Sequence, residues 1–214
     1  RFLVMHFFNP VRYMKLLELV AGPHTHDDVI KKVAHLGTYL GKGVVYAKDT
    51  PNFVANRIGT HGMMLAMHLM PEAELKIEEV DAILGVAMGR PKSAAFKTAD
   101  VVGLDTLAHV AKNCFDNLSD DEERDVFEMP AWILEMIDNK LMGRKSGSGF
   151  YKKDGKDILV YDVASKTYRE REKVRFDSVG VGKKIEQVGE RIKMQVLADD
   201  RAGHYAWRVT SRSL

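Results

Sequence analysis

Two short apolar runs at the start of the chain restrict what it can fold into. Phe2-Leu3-Val4-Met5-His6-Phe7-Phe8 reads as a buried strand and is stopped by Asn9-Pro10. Leu16-Leu17-Glu18-Leu19-Val20 follows after a short loop. If the runs fold back antiparallel about Arg12, residues whose numbers sum to 24 face each other, which sets His6 opposite Glu18. A histidine and a carboxylate set in apolar strands are costly to bury without partners. One reading is a general base, His6, oriented by Glu18, whose charge favours the protonated ring. The other is a half-exposed strand pair with a surface ion pair. Spacing alone weighs the two about equally.

Composition narrows the class. At 214 residues, one or two domains are expected. With 29% charged and 45% hydrophobic residues, the chain has the balance of a globular protein that buries a core. A formal net charge of +2 gives no case for nucleic acid or a membrane as partner. No apolar stretch approaches the ~20 residues of a membrane span, and no signal peptide is visible. A single cysteine, Cys114, excludes an internal disulfide framework and fits a reducing compartment, so a cytoplasmic location is expected. Its setting, Ala111-Lys112-Asn113-Cys114-Phe115, reads as a helix face rather than a nucleophile's surroundings.

The wording around the two runs is more specific than their spacing. His6-Phe7-Phe8-Asn9-Pro10 followed by Glu18 resembles the catalytic signature of the 3-hydroxyacyl-CoA dehydrogenases. Three more blocks are similar to that family, in its order: Asp49-Thr50-Pro51-Asn52-Phe53-Val54-Ala55-Asn56-Arg57, then Gly89-Arg90-Pro91 through Asp100-Val101-Val102-Gly103-Leu104-Asp105, then Gly143-Arg144-Lys145-Ser146-Gly147-Ser148-Gly149-Phe150-Tyr151. The likeness covers residues 1 to about 152. It implies a mainly α chain: the family's helical C-terminal domain, preceded by the last strands and a helix of a truncated Rossmann domain. It implies NAD as cofactor and an acyl-CoA as substrate. The reaction implied is oxidation of (S)-3-hydroxyacyl-CoA to 3-ketoacyl-CoA in fatty-acid β-oxidation. It casts His6 as the base, Glu18 as the group that fixes the imidazole and stabilises its cation, and Asn56 as a substrate-holding residue. Asn9 would support His6 or the cofactor edge, and Lys145 would reach the cofactor.

The chain also departs from that family. The glycine-rich G-x-G-x-x-G turn that cradles the dinucleotide is absent, and Gly41-Lys42-Gly43 is only a turn between a helix and a strand. The family's catalytic serine, which precedes the histidine, is absent too. Arg1 opens directly in an apolar strand, so a fragment that is inactive on its own is expected. Asn52 stands where many members have a small residue, and Lys92-Ser93 replaces a Met-Gly pair of short-chain members. Both suggest a longer, multidomain subgroup. Two other readings compete. One is a non-catalytic dimerisation and acyl-binding module. The other is a dehydrogenase of the same plan that acts on a hydroxy acid without CoA, against which the His6 to Glu18 block argues.

Three parts are expected. Residues 1–49 would be the end of the Rossmann domain, with a helix from Asp27 to Leu40 capped by Thr25 or Asp27 and a strand at Val44–Ala47. Residues 50–152 would be the helical substrate-binding and dimerisation domain. Its first helix would include Phe53, Val54, Ile58, Met64, Leu65, Met67, His68 and Leu69, with Gly59 and Gly62 allowing another helix close. Its Met residues read as core or subunit interface, so a homodimer is expected. Further helices are expected at Ile77–Met88, Leu104–Asn117 and Pro130–Leu141, with Ser119–Glu123 an acidic helix start. Residues 153–214 would open a further domain, with a solvent-facing hairpin (Ile158–Val163 and Thr167–Arg169), a helical stretch from Val181 to Leu197 and a last helix. No histidine spacing suggests a metal site.

Overall fold

The structure is a computed structural model of the chain and describes residues 2–213. It divides into two compact units, Arg1–Ile58 and Gly59–Leu214.

In the first unit, strand β1 (Leu3–Phe7) leads through a turn to β2 (Leu16–Ala21), then helix α1 (Asp27–Tyr39) and strand β3 (Gly43–Ala47). The sheet order is β1-β2-β3, with β1 antiparallel and β3 parallel to β2. A parallel neighbour needs a crossover, and α1 supplies it. The β1–β2 register pairs Leu3 with Ala21 and His6 with Glu18, as the 24-sum requires. The central strand is the buried one: Leu17, Leu19 and Val20 are at most 3% exposed. The Lys42 ammonium pins the turn before β2 by donating to the carbonyls of Val11 and Met14.

Two local expectations fail here. Neither Thr25 nor Asp27 caps α1: the N-cap is His26, without a side-chain cap bond. Thr25 instead accepts from Gly22 N and donates to the Phe2 carbonyl, fixing the turn. The long helix α2 (Ala55–Glu72) begins later than its apolar pattern suggests. Asn52 and Phe53 lie in the left-handed region, at φ 60° and 54°, so Phe53 and Val54 belong to a turn rather than to the helix.

The second unit takes up α2 and adds α3 (Ile77–Ile83), α4 (Phe96–Val102), α5 (Leu104–Asn117) and α6 (Ala131–Asp138). Three strands follow, β4 (Tyr151–Asp154), β5 (Asp157–Asp162) and β6 (Thr167–Glu170), then α7 (Asp177–Gly182), α8 (Val188–Val196) and α9 (Arg201–Arg212). Helices dominate the described residues, as the mainly α expectation has it. The helix expected over Ile77–Met88 breaks after Ile83, and only a 3₁₀ turn at Val86–Met88 continues it. Ser119–Glu123 is a turn ahead of a 3₁₀ helix at Arg124–Phe127, not an α-helix start.

One core runs through this unit. Met64, Leu65, Ala66 and Met67 of α2 are at most 1% exposed and cluster with Phe96, Leu104, Ile133 and Phe150. Val160, Tyr205, Ala206 and Val209 belong to the same cluster, and Tyr205 Oη donates to the Ala66 carbonyl at 2.6 Å. No break between compact units falls at residue 153. The expected hairpin gains a third strand, β4, and its Val160 and Tyr161 are buried rather than solvent-facing. Residues beyond 153 thus help to cover the apolar faces of α2 within one chain, although Ile58 remains 54% exposed. Of the two helix glycines, only Gly62 has a close neighbour: a Cβ there would lie 3.5 Å from Ser213 Oγ.

Candidate active site

The site is built on the first unit's strand pair. His6 Nδ1 lies 2.6 Å from Glu18 Oε2. A carboxylate only accepts, so Nδ1 carries the proton and Nε2 is left as the ring's second nitrogen. No partner for Nε2 occurs among the described residues. The His6 side chain keeps 26% exposure while that of Glu18 has none. Phe8 and Phe53 flank the imidazole at ring-centroid distances of 4.6 and 5.6 Å. The ring is therefore held at Nδ1 and flanked by two aromatic rings, with about a quarter of its side chain exposed and Nε2 without a hydrogen-bond partner among the described residues.

A fully buried carboxylate must be satisfied, and Glu18 is. Its second oxygen accepts from Val54 N at 3.0 Å and from Ala55 N at 2.7 Å. These are N–H groups at the start of α2, which lack intrahelical partners. The residue before Ala55 is a valine, which cannot cap a helix. Glu18 caps the helix from a neighbouring strand instead, and the helix end favours its negative charge. One side chain thus positions the imidazole and anchors the start of α2 from inside an apolar sheet. The sequence marked His6 and Glu18 but not Phe53, Val54 or Ala55. The usable signal was a helix start with no side-chain cap of its own.

The other expected site residues fare differently. Asn56 lies in the first turn of α2, half-buried, next to the two residues that hold Glu18 through their neighbouring amides. It makes no hydrogen bond with His6 or Glu18 among the described residues. Asn9 is exposed beyond the end of β1. It makes no hydrogen bond with His6 among the described residues. Lys145 belongs to the second unit, where its ammonium pairs with Asp105 at the start of α5. That hydrogen bond holds the Asp105 carboxyl below its usual range.

The closing block owes its glycines to Asp100. This buried carboxylate accepts from Phe150 N at 2.8 Å and Tyr151 N at 2.9 Å. A Cβ on Gly149 would strike Asp100 Oδ1, and one on Gly143, at φ 99°, would strike the Asp100 backbone. Only glycine fits at both positions. Burial pushes Asp100 up to about 6 despite the two amides. Two histidines of the second unit are tied into its packing: His61 meets Glu123 at 2.9 Å, and His68 bonds the Glu128 carbonyl. No group of three potential metal ligands occurs among the described residues.

Comparison with known proteins matches this architecture to two adjoining family descriptions. Residues 1–50 match "3-hydroxyacyl-CoA dehydrogenase, NAD binding domain", and residues 53–153 match "3-hydroxyacyl-CoA dehydrogenase, C-terminal domain". The chain belongs to the 3-hydroxyacyl-CoA dehydrogenase family. It is 46% identical, over all 214 residues, to a Bacillus subtilis protein named "Probable 3-hydroxyacyl-CoA dehydrogenase", and spans 27% of that protein. Among solved structures, FadB2 of M. tuberculosis matches 71% of the chain at 30% identity with a TM-score of 0.62, the match covering 52% of that protein. The (S)-3-hydroxybutyryl-CoA dehydrogenase PaaH1 of Ralstonia eutropha matches 69% at 32% identity with a TM-score of 0.60, over 50% of its own length. The chain thus spans about half or less of these relatives. No helix among the described residues is long and apolar enough to cross a membrane.

Proposed function

We propose that this chain carries the base-bearing strands and the helical region of an NAD-dependent enzyme that oxidises (S)-3-hydroxyacyl-CoA to 3-ketoacyl-CoA in fatty-acid oxidation. The observation that carries the reading is the His6–Glu18 contact, with Nδ1 occupied and Nε2 open. His6 Nε2 takes the proton of the substrate's 3-hydroxyl, and Glu18 holds the ring and balances the imidazolium that forms. Bound NAD supplies the acceptor for the hydride that leaves C3. The residues of this chain fit the base side of that chemistry: a held, partly exposed imidazole with one nitrogen unbonded among the described residues. They do not supply the dinucleotide's phosphate cradle, since no G-x-G-x-x-G occurs in the sequence. Asn56, at the head of α2, is the polar group available to hold the substrate. Lys145 can serve the cofactor only after leaving Asp105. Asn9 keeps, at most, a role at the cofactor edge.

The reading includes a homodimer acting in the cytoplasm. Exposed apolar side chains on the second unit, Leu134 at 46% and Trp207 at 55%, support a further surface of association. Cys114, buried and in no disulfide, suits a reducing compartment.

The test is turnover by a full-length protein that contains this chain, followed as NADH formed from a 3-hydroxyacyl-CoA. His6→Ala should lower kcat by about 10²–10⁴, the usual worth of a general base, with KM changed far less. A loss smaller than about tenfold would remove His6 from the mechanism. The 214-residue chain alone should form no NADH above its own His6→Ala control.

A further inference from the structure

A cavity of about 540 Å³ in the second unit gathers five cationic side chains: Lys97, Arg144, Lys152, Lys153 and Lys156. They come from three separate segments. Lys97 stands on α4, Arg144 opens the glycine-bearing turn, and the three other lysines lie on β4 and the β4–β5 turn. Lysines on an edge strand such as β4 are a common guard against strand addition. That purpose does not explain a lysine on α4 and an arginine on a turn converging on the same concavity.

The cavity holds more positive than negative charge: Asp81 faces Lys97, and Asp100 acts on Arg144. Arg144, Lys152, Lys153 and Lys156 form no ion pair among the described residues. Other cations of this unit are matched, as in Lys76–Glu172, Lys166–Glu135, Arg169–Glu78 and Arg208–Glu72, and those that are not do not converge on one concavity with Lys97. The one carboxylate on the cavity wall, Asp100, is turned to the amides of Phe150 and Tyr151. Lys97 is placed rather than mobile: its Nζ lies 3.7 Å from the buried Asp81 and 4.9 Å from the centre of the Tyr151 ring. Lys152 Nζ lies 5.5 Å from the ring centre of Tyr168. Packing like charges around a hollow is unfavourable unless something of the opposite sign enters it.

We infer that this cavity is an anion-binding site for a small molecule with adjacent phosphate groups. Several cations spread over three segments suit several negative charges a few ångströms apart, where charge-assisted hydrogen bonds are strongest. Pyrophosphate carries that chemistry by itself, and so does the phosphate end of a nucleotide such as ADP or coenzyme A. The wall also offers Ile158 and the Tyr151 ring, which a nucleoside could touch and pyrophosphate could not.

The test is calorimetric titration of the 214-residue chain with inorganic pyrophosphate. The variants are Lys152→Ala/Lys153→Ala/Lys156→Ala and a control that removes equal charge elsewhere, Lys31→Ala/Lys183→Ala/Lys184→Ala. All six lysines are exposed, so both proteins should fold. Saturable binding that the first variant weakens by about tenfold or more, and the control by less than about twofold, is the expected result. Absence of saturable binding, or equal weakening in both variants, overturns the proposal. ADP and coenzyme A are then titrated in turn. Affinity equal to that of pyrophosphate identifies the phosphates as the whole ligand, and tighter binding identifies a nucleotide site.

Discussion

The two units solve one problem in the same way and use the solution differently. Each buries a carboxylate and satisfies it with backbone amides at a helix start. Glu18 takes Val54 N and Ala55 N ahead of α2. Asp81 takes Ala95 N and Phe96 N ahead of α4. The difference lies in the remaining oxygen. In Asp81 it accepts from Tyr151 Oη at 2.8 Å and from Lys97 N at 3.2 Å, with the Lys97 ammonium 3.7 Å away, so a phenol, an amide and a fixed cation occupy it. In Glu18 it meets a partly exposed imidazole whose other nitrogen has no hydrogen-bond partner among the described residues. The same capping device is thus a structural staple in one unit and the support of a base in the other. A buried carboxylate becomes part of a reactive site only when its second oxygen faces a group that can exchange protons with the outside.

The contrast can be broken first by removing the charge without the hydrogen-bond acceptor. Glu18→Gln keeps an oxygen for Val54 N and Ala55 N but no longer holds the imidazole in its charged state. In the full-length protein it should cost about 10²-fold or more in kcat, on the scale of general-base catalysis. Asp81→Asn should leave kcat within about threefold and reduce stability instead. If the two variants lose activity alike, the distinction between staple and site fails.

Full truncation should then show that both carboxylates bear comparable structural weight. Glu18→Ala orphans the amides of Val54 and Ala55, and Asp81→Ala those of Ala95, Phe96 and Lys97, and each should cost about 3 kcal/mol in denaturant unfolding. A cost below about 1 kcal/mol for Glu18→Ala would mean that water replaces it at the head of α2.

Asp100 sharpens the comparison through pH. Its folded-state value is raised from 3.8 to about 6, chiefly by burial. The ionised form is therefore disfavoured by folding, fully so above about pH 6, and the penalty is relieved as pH falls from 6 towards 3.8. Relative to Asp100→Asn, the natural chain should gain about 1 kcal/mol of stability between about pH 7.5 and pH 5. A difference that is flat or falls over that range would place Asp100 among ordinary paired carboxylates.

The smallest effect is expected at the covering of α2. Tyr205→Phe removes the bond to the Ala66 carbonyl but keeps the ring, so about 1 kcal/mol should be lost in thermal or denaturant unfolding. A neutral result would leave the ring's packing as the whole contribution of that residue.

How far the sequence foretold these regions depends on how local the cause is. The β1–β2 register follows from two apolar runs and a turn, so His6 opposite Glu18 was readable, and α5 follows its own periodicity from Leu104 to Asn117. Helix α4 was not readable as a separate element. Its start is capped by Asp81, fifteen residues away from Phe96, and no local signal marks it. Strand β4 was missed because Tyr151-Lys152-Lys153-Asp154 has no apolar alternation; it pairs because β5 lies beside it. The late start of α2 was hidden by Phe53 and Val54, whose side chains fit a helical pattern while Asn52 and Phe53 turn left-handed. The cover of α2 by Tyr205 and Val209 joins residues more than a hundred positions apart, which spacing does not reveal. In the site, the two charged partners were legible and the amides that hold them were not, because backbone groups leave no mark on composition.

The central claim is that Glu18 fixes His6 with its proton on Nδ1, leaving Nε2 as the base. Nitrogen-15 NMR of the imidazole in the 214-residue chain, assigned by comparison with His6→Gln, reads this tautomer directly. The neutral ring should show a protonated Nδ1 and a bare Nε2, and Glu18→Gln should shift it towards a mixture. A neutral His6 carrying its proton on Nε2 in the natural chain would contradict the account.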